Sequence, residues 1–359
     1  MRLICLRKFK AKLIASTTRK KKIYIKMSST ENCTCDELSS NKSPWCGANC
    51  FVAVTGASRG FGQAFCIELV KSMSSGEDHA ASLNILLMAR DVSALRITES
   101  KMNASKPSHS AMKLNILVST SSLDMSNADE KVLREELEPL FRLSLELSRQ
   151  DTHVRQWNML VHNAATLGDV QSRTDERFST QALDTYYRMN LTAPMILTSL
   201  FLEHFAPASQ SFHHPVTIVN ISSLAAVQPF SCMSDYCVGK AARQMYLKCL
   251  CVDRPSIAVF NYSPGPLDTD MFKQILEEHG DEKTRQAFSQ IKVTGRIVEP
   301  LESARVCVAW LRKQIPISGG TTGEGCVPKL SHCSVHQSQY SDVWTGPRLD
   351  YFDAVREVK

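Results

Sequence analysis

The chain has 359 residues, 43% of them hydrophobic, 22% charged and 7% aromatic, with 13 cysteines and a formal charge of +6. This is an ordinary globular composition, which excludes collagen, a disordered tail protein and a disulfide-dense mini-scaffold. Ten of the 42 basic residues fall within residues 1–26, which hold no acid, so residues 27–359 carry 32 basic against 36 acidic side chains, a net of −4; no nucleic-acid partner is expected, nor a membrane, because no apolar run approaches the roughly 20 residues of a span.

Residues 1–46 read as a basic and then polar N-terminal extension, expected to be disordered. The lack of acids around Ser16, Thr17 and Thr18 weakly resembles a mitochondrial leader, Met27 is an alternative start, and the cytoplasm is otherwise the expected location. Cys46-x₃-Cys50 has the spacing of a metal pair, but Cys33-x-Cys35 does not. Scattered thiols and no metal are expected.

From residue 50, short apolar runs alternate with helical patterns. Strands are expected at 51–54, 84–88, 112–118, 158–161, 216–221 and 257–260. Helices are expected at 61–73, 130–147, 183–205 and 236–250. This alternation predicts a single doubly wound Rossmann-type α/β domain over 47–318, with a mostly parallel sheet and helices on both faces. Residues 319–347 are a polar, turn-rich inserted loop, and 348–359 are a terminal strand and tail. Ligands of such sheets bind beyond the carboxyl ends of the strands, so the residues there are the candidates.

After the first strand comes Thr55-Gly56-Ala57-Ser58-Arg59-Gly60-Phe61-Gly62. The glycines allow a sharp turn, backbone approach to a pyrophosphate and close helix packing, with the helix N-terminus facing the phosphates. The second strand ends at Arg90-Asp91. With Arg59, Arg90 suits a 2′-phosphate, so NADP(H) is preferred to NAD despite Asp91. Asp124, beside Met125, could accept from the adenine amino group. Asn163, followed by Ala164, allows backbone approach to a ribose.

The fifth strand runs into Ser222-Ser223, and Tyr236 and Lys240 lie at i and i+4 on the next helix. That is the geometry of a proton relay: Lys240 should draw the Tyr236 phenol towards neutrality and hold the nicotinamide ribose, while Ser223 holds a substrate carbonyl. Asn190 sits inside a helix, where it could bend the helix or hold a water for proton return. The turn from Asn261 to Met271 is rigid, and Thr269 or Asp270 could cap the helix after it.

The set Thr55-Gly56-x₃-Gly60-x-Gly62, Asn163-Ala164, Asn190, Ser223, Tyr236-x₃-Lys240 and Pro264-Gly265 resembles the short-chain dehydrogenase/reductase family over about residues 50–318 and again near 348. The wording of TGASRGFG (55–62), NISSLAAVQPF (220–230), YCVGKAAR (236–243) and NYSPGPLDTDM (261–271) is similar to the family's pterin reductases, in which NADPH reduces a pterin's side-chain carbonyl on the way to tetrahydrobiopterin. The resemblance implies cofactor contacts from Gly56 to Gly62, Arg90, Asp91, Asp124, Met125, Lys240, Leu267, Asp268, Thr269, Asp270, Met271 and Phe272. It implies substrate contacts at Ser222, Ser223, Tyr236 and Gly265, and makes Asp350 the anchor of the pterin's amino-pyrimidine edge. A homodimer is also implied, packed on the 236–250 helix, whose second apolar side reads as Met245, Leu247 and Leu250. The insertion 319–347 departs from the family, and a displaced last strand would misplace Asp350. So does Ala165, where relatives have Gly. A general carbonyl reductase and a non-catalytic NADP-binding regulator are the rival readings.

Overall fold

The computed structural model describes residues 42–119, 123–127, 129–149, 154–177, 179–207, 215–314 and 348–358. Strand β1 (Asn49–Thr55) leads into α1 (Gly60–Ser74), β2 (Ser82–Met88), α2 (Val92–Ser105) and β3 (Lys113–Val118). Next come α3 (Glu130–Arg149), β4 (Gln156–His162), α4 (Thr180–Tyr187), α5 (Ala193–Phe205), β5 (Val216–Ile221) and α6 (Ser234–Asp253). Then follow β6 (Ile257–Ser263), α7 (Asp270–Glu278), α8 (Glu282–Val293), α9 (Pro300–Gln314), β7 (Arg348–Asp350) and α10 (Tyr351–Val358). The strands form one sheet in the order β3-β2-β1-β4-β5-β6-β7, and every pair is parallel. The chain winds outward from β1 to one edge and then from β4 to the other, so the switch point lies between β1 and β4.

Every residue of β1, β2 and β5 is buried, as strands covered on both faces require. Alternate residues of β1 enter opposite cores. Val52 and Val54 pack with Phe65 and Leu69 of α1, whereas Phe51 and Ala53 pack with Phe141 of α3 and Phe201 of α5. Among the described residues, no helix is long and apolar enough to cross a membrane.

Each expected element is present, and several additions and corrections follow. Helix α2 is capped by Asp91, whose Oδ1 accepts the Ala94 N–H at 2.9 Å. Its buried stripe is thin (Leu95, Thr98 and Met102), which is why no helix was expected there. The helix expected over 183–205 is α4 and α5 joined by a π-turn at Arg188–Thr192. The core begins before residue 47. The Ser43 N–H donates to Asp78 Oδ2 at 2.9 Å, and the buried Trp45 ring lies 5.8 Å from that of Trp157. On α6, Leu247 is fully buried in the core and Leu250 packs partly against it. The exposed apolar stripe of that helix is instead Val238, Met245 and Val252. β7 pairs with β6, Ser263 opposite Asp350, so the insertion leaves the last strand in the sheet. From Tyr351 the tail is helical. Residues 1–41 and 319–347 lie outside the described residues.

Candidate active site

A cavity of about 1160 Å³ opens where Thr55, Met88, Ile221 and Ser263 end their strands. At its β1–β4 edge the strand tips are tied together. Thr55 Oγ1 donates to Val161 O at 3.1 Å and accepts the N–H groups of Asn163 and Ala164, both at 3.0 Å. Asn163 Nδ2 donates to Thr55 O and Gly56 O, each at 3.0 Å, so this amide serves the glycine loop. Gly56 turns there with φ +66, and a Cβ on Gly62 would sit 2.2 Å from Gly56 O. Arg59 occupies the N-cap position of α1 without a side-chain cap bond. The positive end of the helix therefore faces the cavity beside Ser58, Gly60 and Phe61, and this cradle fits a dinucleotide pyrophosphate. Ala57 is buried and, like Gly62, shapes the loop without lining the cavity.

Arg90, Asp91 and Met125 line the neighbouring end. Asp91 is engaged as the N-cap of α2. Asp124 does not line the cavity: its Oδ1 accepts the Ser126 N–H at 2.9 Å and hydroxyl at 2.7 Å. Partial burial raises its carboxyl, but these bonds and the Arg90 charge outweigh that and hold it below its ordinary value. Across the cavity mouth, Arg59 pairs with Asp270, and Leu267, Asp268, Met271 and Phe272 complete that wall. Thr269 also lines it and takes the N-cap position of α7, but its hydroxyl donates to Leu267 O at 3.4 Å. Neither Thr269 nor Asp270 makes the expected side-chain cap.

At the other end, Ser223, Tyr236 and Lys240 meet. Lys240 Nζ lies 5.4 Å from the centre of the Tyr236 ring and donates to Ile221 O at 2.8 Å. Ser223 Oγ accepts the Ala225 N–H at 3.2 Å, and the Tyr236 hydroxyl lies 3.9 Å from Met271 Sδ. The expected lowering of Tyr236 by Lys240 is not found. Burial raises the phenol above its ordinary value, while a hydrogen bond with Ser223 and the charge of Arg243 pull it back. Lys240 is itself pushed well below its ordinary value by burial and by Arg243, which weakens its pull as a cation.

Three expected residues also make contacts within the fold. Asn190 is buried in the π-turn and does not line the cavity; its Nδ2 donates to Tyr186 O at 3.0 Å and its Oδ1 accepts the Thr166 N–H at 3.1 Å. It thus replaces backbone bonding where the helix opens and ties it to the loop after β4. The Ser222 hydroxyl is buried and donates to Gln244 Oε1 at 3.1 Å. Gly265 lines the cavity and turns the chain with φ +83, where a Cβ would make only ordinary contact with Tyr351 Cβ at 3.6 Å. The Tyr351 hydroxyl donates to Glu302 Oε1 at 2.8 Å, which pins the terminal segment and leaves Asp350 lining the cavity. Reading the sequence missed Arg177, which pairs with Asp169 and with Asp235 beside Tyr236, as well as Tyr186 and Arg243. It also missed the apolar wall of Leu167, Phe230, Met233, Ile275, Phe288 and Ile291.

A family model described as short chain dehydrogenase matches residues 147–280, the stretch holding Asn163, Ser223, Tyr236 and Lys240. The solved structure of the KRED1-Pglu enzyme matches with a TM-score of 0.57 at 20% identity, over 74% of this chain and 96% of that one, which shows the fold. The sepiapterin reductase of Meriones unguiculatus is 36% identical over 274 residues, 76% of this chain and 95% of that one. That of Mus musculus is 34% identical over 274 residues, covering 76% and 96%. The chain belongs to the short-chain dehydrogenase/reductase family and is an oxidoreductase that uses a nicotinamide cofactor. Within the family it stands with the sepiapterin reductases.

Proposed function

We propose that this oxidoreductase uses NADPH to reduce the side-chain carbonyl of a pterin, completing tetrahydrobiopterin synthesis. The carrying observation is Asp350, a carboxylate delivered by β7 into the cavity that also holds Ser223, Tyr236 and Lys240. A carboxylate opposite a proton donor matches a flat heterocycle with a guanidine-like edge at one end and a ketone at the other. The apolar wall suits the faces of its rings. For the cofactor, Arg59 and Arg90 at the rim favour a 2′-phosphate, and Asp91 is engaged in capping.

NADPH supplies the hydride. Ser223 and Tyr236 hold the carbonyl oxygen by hydrogen bonds, and Tyr236 gives that oxygen its proton as the carbon is reduced, so ketone becomes alcohol. Lys240, anchored on Ile221 O and beside the Tyr236 ring, would hold the ribose hydroxyls of the bound cofactor. Asn190 fixes the loop after β4 against α4. The exposed stripe on α6 supports a homodimer packed on that helix. The free thiols of the described residues suit a reducing compartment, which supports the cytoplasm.

Mixing the purified protein with sepiapterin and NADPH, and following the loss of reduced-cofactor absorbance, tests the reading. Turnover is expected with NADPH and to be much slower with NADH. Turnover of small diketones without turnover of sepiapterin would overturn the pterin assignment and favour a general carbonyl reductase.

A further inference from the structure

Arg243 lies on the face of α6 that carries Tyr236 and Lys240, seven and three residues beyond them. Its side chain is among the largest that are fully buried, at 1% exposure. Nη2 donates to Ile221 O at 3.0 Å and Nη1 to Ala164 O at 3.4 Å. The same Ile221 carbonyl takes Lys240 Nζ at 2.8 Å, so the two side chains share one acceptor. Ile221 ends β5 just ahead of Ser222 and Ser223, and Ala164 follows Asn163 at the tip of β4. One guanidinium therefore ties together the segment whose Asn163 supports the glycine loop, the segment bearing the serine hydroxyl and the helix bearing the phenol.

Burying a guanidinium is costly unless charge or hydrogen bonds compensate. Among the described residues its hydrogen bonds reach two neutral carbonyls, and its Nε has no hydrogen-bond partner there. The groups whose charge acts back on it are the phenols of Tyr236 and of Tyr186 on α4. His162 of β4 is buried nearby, and burial together with Arg243 keeps it neutral down to about 3. From α6, Cys237 acts on Tyr236 and Asp235 on Tyr186, while Tyr187 of α4 also acts on Tyr186. From α7, the Tyr236 hydroxyl meets the neutral sulfur of Met271, and Ile275 packs in the same apolar cluster. The negative charge that would offset Lys240 and Arg243 is the one Tyr236 acquires when it gives up its proton.

We propose that Arg243 is a positioning residue for proton transfer, fixing Lys240 beside Tyr236 through the shared Ile221 carbonyl and stabilising the phenolate that transfer leaves. This rests on the reading of Tyr236 as the acid. Reduction needs the protonated phenol, so kcat/KM falls as pH rises through its ionisation. Without the Arg243 charge, that alkaline midpoint moves upward.

The test compares Arg243→Met and Arg243→Gln, which remove the charge, with Arg243→Lys, which keeps it. Each is read by the pH profile of sepiapterin reduction and by fluorescence titration with NADPH. The midpoint is expected to rise by about one pH unit in both neutral variants and to stay in place in the lysine variant, with NADPH affinity little changed. An unmoved midpoint in a folded neutral variant overturns the inference. So does a lysine variant shifted as far as the neutral ones, or a series in which the lysine variant folds and neither neutral variant does. Tyr236→Phe is measured alongside. Wild-type turnover in that variant removes the acid assignment itself, whereas an inactive Tyr236→Phe with an unmoved midpoint in Arg243→Met removes only the role of Arg243.

Discussion

Arg59, between β1 and α1, holds Asp270 at the start of α7, with Nη1 2.5 Å from Oδ2. Both side chains are largely exposed, at 72% and 59%, so the pair contributes little to stability. A phosphate offers the guanidinium more charge and two oxygens at once. Arg59 is therefore expected to exchange Asp270 for the 2′-phosphate of NADPH. Asp270→Asn should tighten NADPH binding a few-fold, and Arg59→Ala should weaken it by about tenfold, with NADH affinity unchanged in both. Fluorescence titration with the two cofactors checks this. Equal losses for both in Arg59→Ala would remove Arg59 from 2′-phosphate recognition.

Asp350 stands at the end of the three-residue strand β7, held in place by the pairing with β6 and by Tyr351 on Glu302. Asp350→Asn keeps the shape and removes the charge. A charge-assisted pair replaced by a neutral one should raise KM for sepiapterin by about ten- to a hundredfold, while reduction of a small diketone changes little. If both substrates lose equally, Asp350 is not a substrate anchor.

Removing the Tyr236 hydroxyl removes the proposed proton donor while leaving its ring in the apolar cluster with Leu167, Met233 and Ile275. Tyr236→Phe is expected to lower kcat by about a hundredfold or more. NADPH binding should be preserved, because the glycine-loop cradle lies at the other end of the cavity. Turnover at the wild-type rate would mean that another group supplies the proton.

What the sequence made legible is what short-range pattern encodes. The glycine loop, the strand runs of β1 and β5, and the Tyr236–Lys240 spacing all lie within a few residues, so periodicity and turn chemistry reach them. Asp350 was reached through family resemblance, since a three-residue strand after a long insertion carries no periodic signal. Arg243 entered the sequence reading only as the last residue of YCVGKAAR (236–243). Its burial follows from acceptors 22 and 79 residues away, Ile221 O and Ala164 O, and sequence spacing does not encode such distances. The expected net shift of Tyr236 had the wrong sign because charge attraction was weighed without burial, which is the largest cause for both Tyr236 and Lys240. Asp91 and Asp124 were assigned by position to ligand contacts; their carboxylates also satisfy nearby N–H groups as a cap and a turn, which position alone did not show.

His162 gives the fold an acid sensitivity. It is buried against Thr198, and burial plus the Arg243 charge push its imidazole down to about 3. In the unfolded chain the same group titrates near 6.5, so below that pH the unfolded state binds a proton that the folded state refuses. Its contribution is therefore intact above about pH 6.5 and is lost as pH falls towards 3, by about 1.4 kcal/mol per pH unit. Urea unfolding at pH 7 and again between 4 and 5 should show His162→Gln losing less stability on acidification than the wild type. Equal losses would mean that His162 is already protonated in the folded protein.

On α6, Val238, Met245 and Val252 are spaced by seven residues and are 51%, 59% and 59% exposed, while Tyr236, Lys240, Arg243 and Leu247 face inward. Two helical turns between each pair place the three side chains in one stripe. Exposure of such a stripe is unfavourable unless something covers it. A second copy of the same helix would bury it symmetrically, residue against residue. Wild-type protein is therefore expected to sediment as two chains. Met245→Glu would place a like charge on each side of the axis and should give single chains. Ile97→Glu changes a comparably exposed residue on α2, at 55%, outside the stripe, and should leave the mass unchanged. Sedimentation velocity on the three proteins decides the matter. A wild type that runs as one chain, or a Met245→Glu protein that stays paired, would place the dimer contact elsewhere or remove it.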